Sequence, residues 1–258
     1  MLKFSNANAK TEALKEVDEL KPFLLDRKIY SLDLLSGYSC PFASECLSKA
    51  TVIDGKRKIK DGPNTKFRCF SASQEVQYTN VYNLRKHNFD MLRGLNVEDT
   101  IHRLNTDLPE NAGIVRPHVA GDFFNNDYLF SWINVAMMNP EKLFYAYTKS
   151  LKYWVDNLAL VQAVDNFVLT ASYGGRDDWM IDKYNLRSTK VVFSEAEAAE
   201  AGLEIDHDDS HAARPSLANQ DFALLIHGTQ PKDTEAAEAL KLLKKNNVKH
   251  SYNRKVKV

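Results

Sequence analysis

The chain has 258 residues, 44% of them hydrophobic and 26% charged, proportions that exclude a disordered or fibrous protein. Lys+Arg and Asp+Glu number 34 each, so no global charge draws the chain to nucleic acid or to a membrane. The balance is local: Lys241 to Val258 carries six Lys, one Arg and no acid, which leaves 27 basic against 34 acidic residues in the first 240.

The opening MLKFSNANAKTEALKEV lacks the apolar core of a secretory signal, and no apolar run reaches spanning length, so the sequence reads as a cytoplasmic protein without a membrane partner. Lys28 to Ser36 (KIYSLDLLS) is a short apolar, β-prone run that stops at Gly37, and it predicts the first strand. SGYSCPFASECLSKA follows, then TVIDGKRKIKDG, whose two β-prone halves meet at Asp54-Gly55, a hairpin turn signal. Ser73 to Arg93 places Val76, Val81, Leu84, Phe89 and Leu92 near helical spacing, with Ser71 or Ser73 as cap. Asn96 caps a second helix with Ile101, Leu104 and Leu108 on one face. Beyond it the pattern is regular. The strand-like runs IVRPHVAGDFF, KLFYAYTKS, NFVLTASYGG, KVVFS and FALLIHGTQP alternate with helical NDYLFSWINVAMM, LKYWVDNLALVQAV, EAEAAEAGL and KDTEAAEALKLLKKN.

This alternation predicts parallel strands joined by crossover helices. The expected fold is an α/β, partial or complete (β/α) barrel of about six parallel strands, with a cysteine loop and hairpin (37–70) inserted after the first strand. Residues 1–247 would form one domain and 248–258 a basic tail. An open, doubly wound sheet is the alternative. Polar and glycine residues gather at each strand's C-terminal end, where either architecture carries its site. No G-x-G-x-x-G follows an early strand and no G-x-x-x-x-G-K-[ST] occurs, which argues against nucleotide binding of those two kinds.

Three cysteines cannot pair completely, so a disulfide scaffold is excluded and a reducing compartment is implied. Their spacing is C-x₅-C-x₂₂-C. Cys40 and Cys46 sit in the loop after the first strand, and Cys69 follows the hairpin, a ribbon whose two ends return to one place. Cysteine is also a small core hydrophobe, but these three cluster outside the apolar strands and helices, and a metal site is favoured. Structural zinc usually shows a close C-x₂₋₄-C pair and a fourth Cys or His, whereas His207 and His211 are far off in sequence. An iron–sulfur cluster is a larger object that accepts wider loops, and thiolates are its normal ligands. Three of them on a [4Fe–4S] cluster would leave one iron open to a small molecule, a cofactor or a noncysteine ligand.

The segments GYSCPFASEC, FRCFSAS, RPHVAGDFF, FYAYTKS, ASYGG and ALLIHGTQP together resemble an uncharacterised bacteriophage protein family, over about Ser36 to Pro231; for a phage-encoded chain the compartment would be the host cytoplasm. More distantly, three cysteines after the first strand of a six-stranded β/α barrel resemble the radical S-adenosylmethionine enzymes. Gly121-Asp122 stands where those enzymes carry a glycine-rich acidic motif that contacts the methionine amino group. The resemblance implies a [4Fe–4S] cluster and, with it, S-adenosylmethionine. Their usual C-x₃-C-x₂-C spacing differs from the one here, and their acidic motif has two glycines before the acid where this chain has one.

Strand alternation would put His118 and Asp122 on one face at a strand end; Asp122 alternatively caps the helix starting near Asn126, and His118 alternatively is a hydrogen-bonded core histidine. Lys149 in YTKS would place a positive charge on the rim or be a solvated loop lysine. Ser172 ends another strand. His227, before Gly228, can donate, accept or ligate near neutral pH. IDHDDSH (205–211) could bind a divalent cation but lacks calcium-loop spacing, so a solvated loop is favoured. The tail KLLKKNNVKHSYNRKVKV suggests salt-sensitive, nonspecific contact with nucleic acid. Three functions compete. The first is an iron–sulfur protein with redox or radical-type chemistry at the open iron, fed by an electron donor such as a ferredoxin or flavodoxin. The second is a noncatalytic electron carrier or structural-cluster protein. The third is a zinc protein associated with nucleic acid.

Overall fold

The computed structural model describes residues 1–248. Ten strands occur among them: β1 Ser5–Asn6, β2 Lys28–Leu32, β3 Ser48–Ile53, β4 Lys56–Asp61, β5 Ala112–Pro117, β6 Leu143–Thr148, β7 Phe167–Ser172, β8 Ser188–Val192, β9 Glu204–Ile205 and β10 Phe222–Leu225. Eight form one sheet in the order β1-β2-β5-β6-β7-β8-β10-β9, and β3 and β4 pair separately. Every pairing in the large sheet is parallel except that of β1 with β2. The molecule is thus α/β with a mostly parallel eight-stranded sheet: the six long strands of the sequence reading, plus a two-residue strand at each edge.

From β2 to β10 the long strands lie side by side in chain order. A doubly wound sheet reverses direction at a switch point; among the six long strands there is no such reversal, and the order turns back only at the edge, where β9 lies beyond β10. The order has two ends, β1 and β9, and no pairing among the described residues joins them. The buried apolar residues form three clusters, one of them Val192, Ala223 and Leu225 with Ala236, Leu240 and Leu243 of the last helix. Val115, Phe144, Ala146 and Leu169 pack with Leu129, Trp132, Ile133 and Ala136 of the helix Asn126–Met138. Ile29, Ile114, Leu143, Tyr145, Val168 and Phe222 form a second core with Leu14, Leu20 and Leu24 of the N-terminal turns and with Ala212 and Ala213.

Several boundaries differ from the sequence reading. β5 stops at Pro117, which lacks the N–H to continue a ladder, and His118 then turns with φ +70°. His118 and Asp122 therefore lie in a loop, not on one face of a strand. The helix expected over 73–93 is two, Phe70–Gln77 and Thr79–Leu92, separated by Tyr78 at φ −116°, ψ 111°. The guanidinium of Arg57 explains the break: it donates to the carbonyls of Glu75 (2.9 Å) and Val76 (3.5 Å) and to Thr79 Oγ1 (2.6 Å), taking acceptors a continuing helix would need. LKYWVDNLALVQAV likewise splits at Asn157, whose amide donates to Tyr153 O and to Asn126 Oδ1, both at 2.8 Å. Asn96 does cap its helix, accepting from Asp99 N. The basic tail lies outside the described residues apart from Val248, and no helix among the described residues is long and apolar enough to cross a membrane.

Candidate functional site

The loop 40–46 is held against the end of β7. Ser44 and Glu45 N–H donate to Gly174 O at 3.1 and 2.9 Å, and Arg176 N–H donates to Phe42 O at 2.9 Å. The chain enters the ribbon directly after Cys46 and Leu47, and Ser48 pairs with Asp61, so the exit lies beside the entrance. Lys66 N–H then reaches Glu45 O at 2.8 Å, and Cys69 N–H reaches Ser48 Oγ at 3.3 Å. Gln230, beyond β10, clamps the same segment: its Oε1 accepts from Arg68 N at 2.6 Å and its Nε2 donates to Arg68 O at 3.0 Å. By these ties Cys40, Cys46 and Cys69 line one cavity of about 190 Å³ at the C-terminal ends of the strands, together with His118, Asp122, Lys149, Ser172 and His227.

All three thiols are free. Burial raises the pKa of Cys40 well above the usual thiol range, with the carboxylate of Asp122 adding to it, while an N–H from Gly37 to its sulfur (3.3 Å) pulls the other way. Burial carries Cys46 to about 11, against the pull of the Lys149 charge. Burial also raises Cys69, and the backbone N–H groups of Ser71 and Ala72, at the start of the helix it precedes, offset part of the effect.

Asp122 is not the cap of the following helix; Asn125 is, accepting from Tyr128 N at 2.8 Å. The Asp122 carboxylate instead accepts from Thr148 Oγ1 (2.6 Å), Lys149 N (2.9 Å) and Phe123 N (2.7 Å). Burial outweighs these bonds and lifts its pKa to about 6. Gly121 permits the approach: its φ is +96°, and a Cβ there would lie 2.8 Å from Leu34 Cβ. Asp33 braces the same loop by accepting from Val119 N at 2.8 Å.

Lys149 is buried, not solvated. Its ammonium donates to Ser172 O (3.0 Å), Ser172 Oγ (2.7 Å) and Tyr173 O, which uses all three protons. His118 is a core histidine whose Nε2 meets Tyr128 OH at 3.0 Å, and burial together with the Arg116 charge lowers its pKa to about 3. His227 has Nδ1 3.1 Å from Leu225 O. A carbonyl only accepts, so the proton is on Nδ1 and Nε2 keeps its lone pair. Burial lowers this histidine to about 4, and its ring lies 4.9 Å from that of Phe70, next to Cys69.

Sequence reasoning missed the polar wall of the cavity formed by Lys10, Arg116, Tyr147 and Asp209. Asp209 accepts from Lys10 Nζ (2.6 Å), Tyr145 OH (3.1 Å), Tyr147 OH (3.3 Å) and Arg116. Burial alone would raise its pKa, but the charges of Arg116 and Lys10 and the bonds from Lys10 and Tyr145 hold it at about 2. The signal was the acid-rich IDHDDSH, read as a solvated loop; Asp206 and Asp209 are in fact 3% and 0% exposed. Among the described residues no group of three or more His, Cys, Asp or Glu is placed to hold a single metal ion.

Residues 1–245 match the family described as Gene product 88, and the chain belongs to that family. The Gene 88 protein of Mycobacterium phage L5 is 27% identical over 145 residues, which cover 50% of this chain and 53% of that protein. The chain therefore spans about half the length of the curated relative it matches. No solved structure matches. The bacteriophage resemblance is thereby established, and neither description names an activity or a cofactor.

Proposed function

We propose that this member of the Gene product 88 family is an iron–sulfur protein in which Cys40, Cys46 and Cys69 hold a [4Fe–4S] cluster above a barrel-like sheet, with one iron lacking a protein thiolate and facing the cavity. The observation that carries the reading is that three thiols from separate segments line one cavity at the strand ends. The donor set fits the group, because thiolates are the usual ligands of such clusters. Metal binding requires the thiolates, and burial by itself holds all three thiols protonated; a Gly37 N–H at Cys40, the Lys149 charge acting on Cys46 and the N–H groups of Ser71 and Ala72 at Cys69 offset part of that effect, and the positive charge of a bound metal centre would supply the rest.

Zinc is less well supported. Structural zinc usually takes a close C-x₂₋₄-C pair and a fourth Cys or His, whereas the cysteines here are spaced C-x₅-C-x₂₂-C. S-adenosylmethionine has no step in this reading, because the chain departs from the radical enzymes' pattern both in its C-x₅-C-x₂₂-C spacing and in the single glycine before Asp122. When bound, the cluster would supply electrons or Lewis acidity at the open iron. The chain's own residues orient and balance charge there. Lys149 is a fixed cation, Asp122 holds or releases a proton near pH 6, and His227 offers an unprotonated Nε2.

A noncatalytic electron-transfer role, served by a ferredoxin or flavodoxin, is the second reading; the burial of His118, which holds its ring neutral down to about pH 3 and places it against Tyr128, favours it, because a ring so placed does not exchange protons with a substrate near neutral pH. Free thiols suit the reducing host cytoplasm in either case. Purified without oxygen, the protein should be brown and carry iron and acid-labile sulfide at roughly four each per chain. Cys40→Ser, Cys46→Ser and Cys69→Ser should each strip or destabilise the cluster. A colourless protein with one zinc per chain would overturn the reading.

A further inference from the structure

The β3–β4 ribbon has a face the cavity does not use. Its register pairs Lys49 with Lys60, Thr51 with Lys58 and Ile53 with Lys56 on one side, and Ser48 with Asp61, Ala50 with Ile59 and Val52 with Arg57 on the other. The second side is turned inward except near the turn, where Val52 is 56% exposed: Ala50 is fully buried, Arg57 is bonded to the helix Phe70–Gln77 and to Thr79, and Asp61 is paired with Arg68. The first side is turned outward, with Lys56, Lys58 and Lys60 exposed. Lys49 lies over the ring of Tyr38, its Nζ 4.9 Å from the centroid. That side presents four lysines and no acid, and none of the four is in an ion pair among the described residues.

We propose that this outward face binds the sugar–phosphate backbone of a nucleic acid. Alternate residues of a strand are roughly 6.8 Å apart, so Lys56, Lys58 and Lys60 form an evenly spaced row of point charges, with Lys49 beside its end. Lysine binds phosphate as a point charge, whereas protein interfaces are depleted in lysine and built around apolar anchors. Here the apolar content is limited to Ile53 and Tyr38, each 42% exposed. The outward side offers point charges and only Thr51 among uncharged polar side chains, so its contacts are with backbone and independent of base sequence. This inference does not depend on what the thiols hold.

The test is fluorescence anisotropy on the full chain with labelled duplex DNA, single-stranded DNA and duplex RNA between 50 and 200 mM salt. For B-DNA each neutralised phosphate contributes about −0.9 to the slope of log K against log salt. Lys56→Glu/Lys58→Glu/Lys60→Glu should therefore make the slope shallower by about 2.7 and weaken binding by roughly tenfold or more. The corresponding triple change to Gln serves if the Glu variant does not fold. Lys244→Glu/Lys245→Glu, on the last helix, should retain the ribbon's contribution. Tightest binding by any one of the three nucleic acids supports the proposal and identifies the source of the phosphates. Absence of binding, an unchanged slope in both triple variants, or equal competition by an acidic protein at matched charge would overturn it.

Discussion

Lys149 shows how a residue can be found in the sequence and its work still be hidden. YTKS at a strand end marks a cation on the rim, and the structure places it in the cavity wall. What the sequence could not reveal is that its partners, Ser172 and Tyr173, come from the next strand, 23 and 24 residues away. Lys149 thus ties the ends of β6 and β7 while holding a charge near Cys46. Lys149→Met keeps most of the volume but leaves two carbonyls and a hydroxyl without their donor. Hydrogen bonds to charged groups are worth roughly 1.5–3 kcal/mol each in mutational series, and a buried acceptor left unsatisfied adds to the loss. We expect about 2–4 kcal/mol lower stability in urea unfolding of the metal-free protein. A change below about 0.5 kcal/mol would mean that these acceptors turn to solvent at no cost, as surface groups do. The pairing of Asp122 with Thr148 and Lys149 was hidden for the same reason, since its partners are 26 and 27 residues distant.

At the scale of elements, local signals served well where chemistry is local and failed where a distant group intervened. Asn96 and Asp54-Gly55 act on their own neighbours, and the structure places the cap and the turn at those residues, whereas β2 stops at Leu32, five residues short of the Gly37 at which the sequence ended it. The helix over 73–93 looked continuous because nothing in that segment breaks it; the cause is Arg57, on the ribbon. The cysteine loop combines both kinds of control. Gly37 turns at φ +71°, and a Cβ there would lie 2.5 Å from Lys49 Cγ and 2.5 Å from Ser48 O. The side chain can move, but the carbonyl belongs to the paired ribbon and cannot. Gly37→Ala should therefore cost about 2 kcal/mol or more, from positive φ and from displacement of the ribbon, and should shift Cys40, whose sulfur takes the Gly37 N–H. Gly94 has nothing within 4 Å of its built Cβ, so Gly94→Ala should stay within about 0.5 kcal/mol. Equal unfolding midpoints for the two variants would show that the turn adapts without strain.

For the whole molecule, the six long strands were readable because each crossover helix carries its own period, but their order was not, since a barrel and a doubly wound sheet share that alternation; in the structure successive units lie side by side. The edge strands β1 and β9, two residues each, have no period to read. Nor does periodicity report buried polar residues in loops, where Asp209 joins three distant parts: Lys10 of the N-terminal turn, Arg116 of β5, and the tyrosines of β6. This buried charge network sets a pH dependence. The Asp209 pKa is depressed from 3.8 to about 2. The native state therefore favours the ionised carboxylate, and the resulting stability is complete above about pH 4 and lost as pH falls through 2. The shift corresponds to about 2 kcal/mol. Asp209→Asn removes the titration and leaves Arg116 and Lys10 facing a neutral amide, a change that costs roughly 3–5 kcal/mol near neutral pH when a buried pair is broken. The gap between the metal-free native protein and this variant should thus be widest at pH 5–7 and narrow by about 2 kcal/mol between pH 4 and 2, measured by urea unfolding at each pH. A gap that stays constant down to pH 2 would mean that Arg116 and Lys10 do not hold the charge of Asp209, and that the three parts are joined by packing alone.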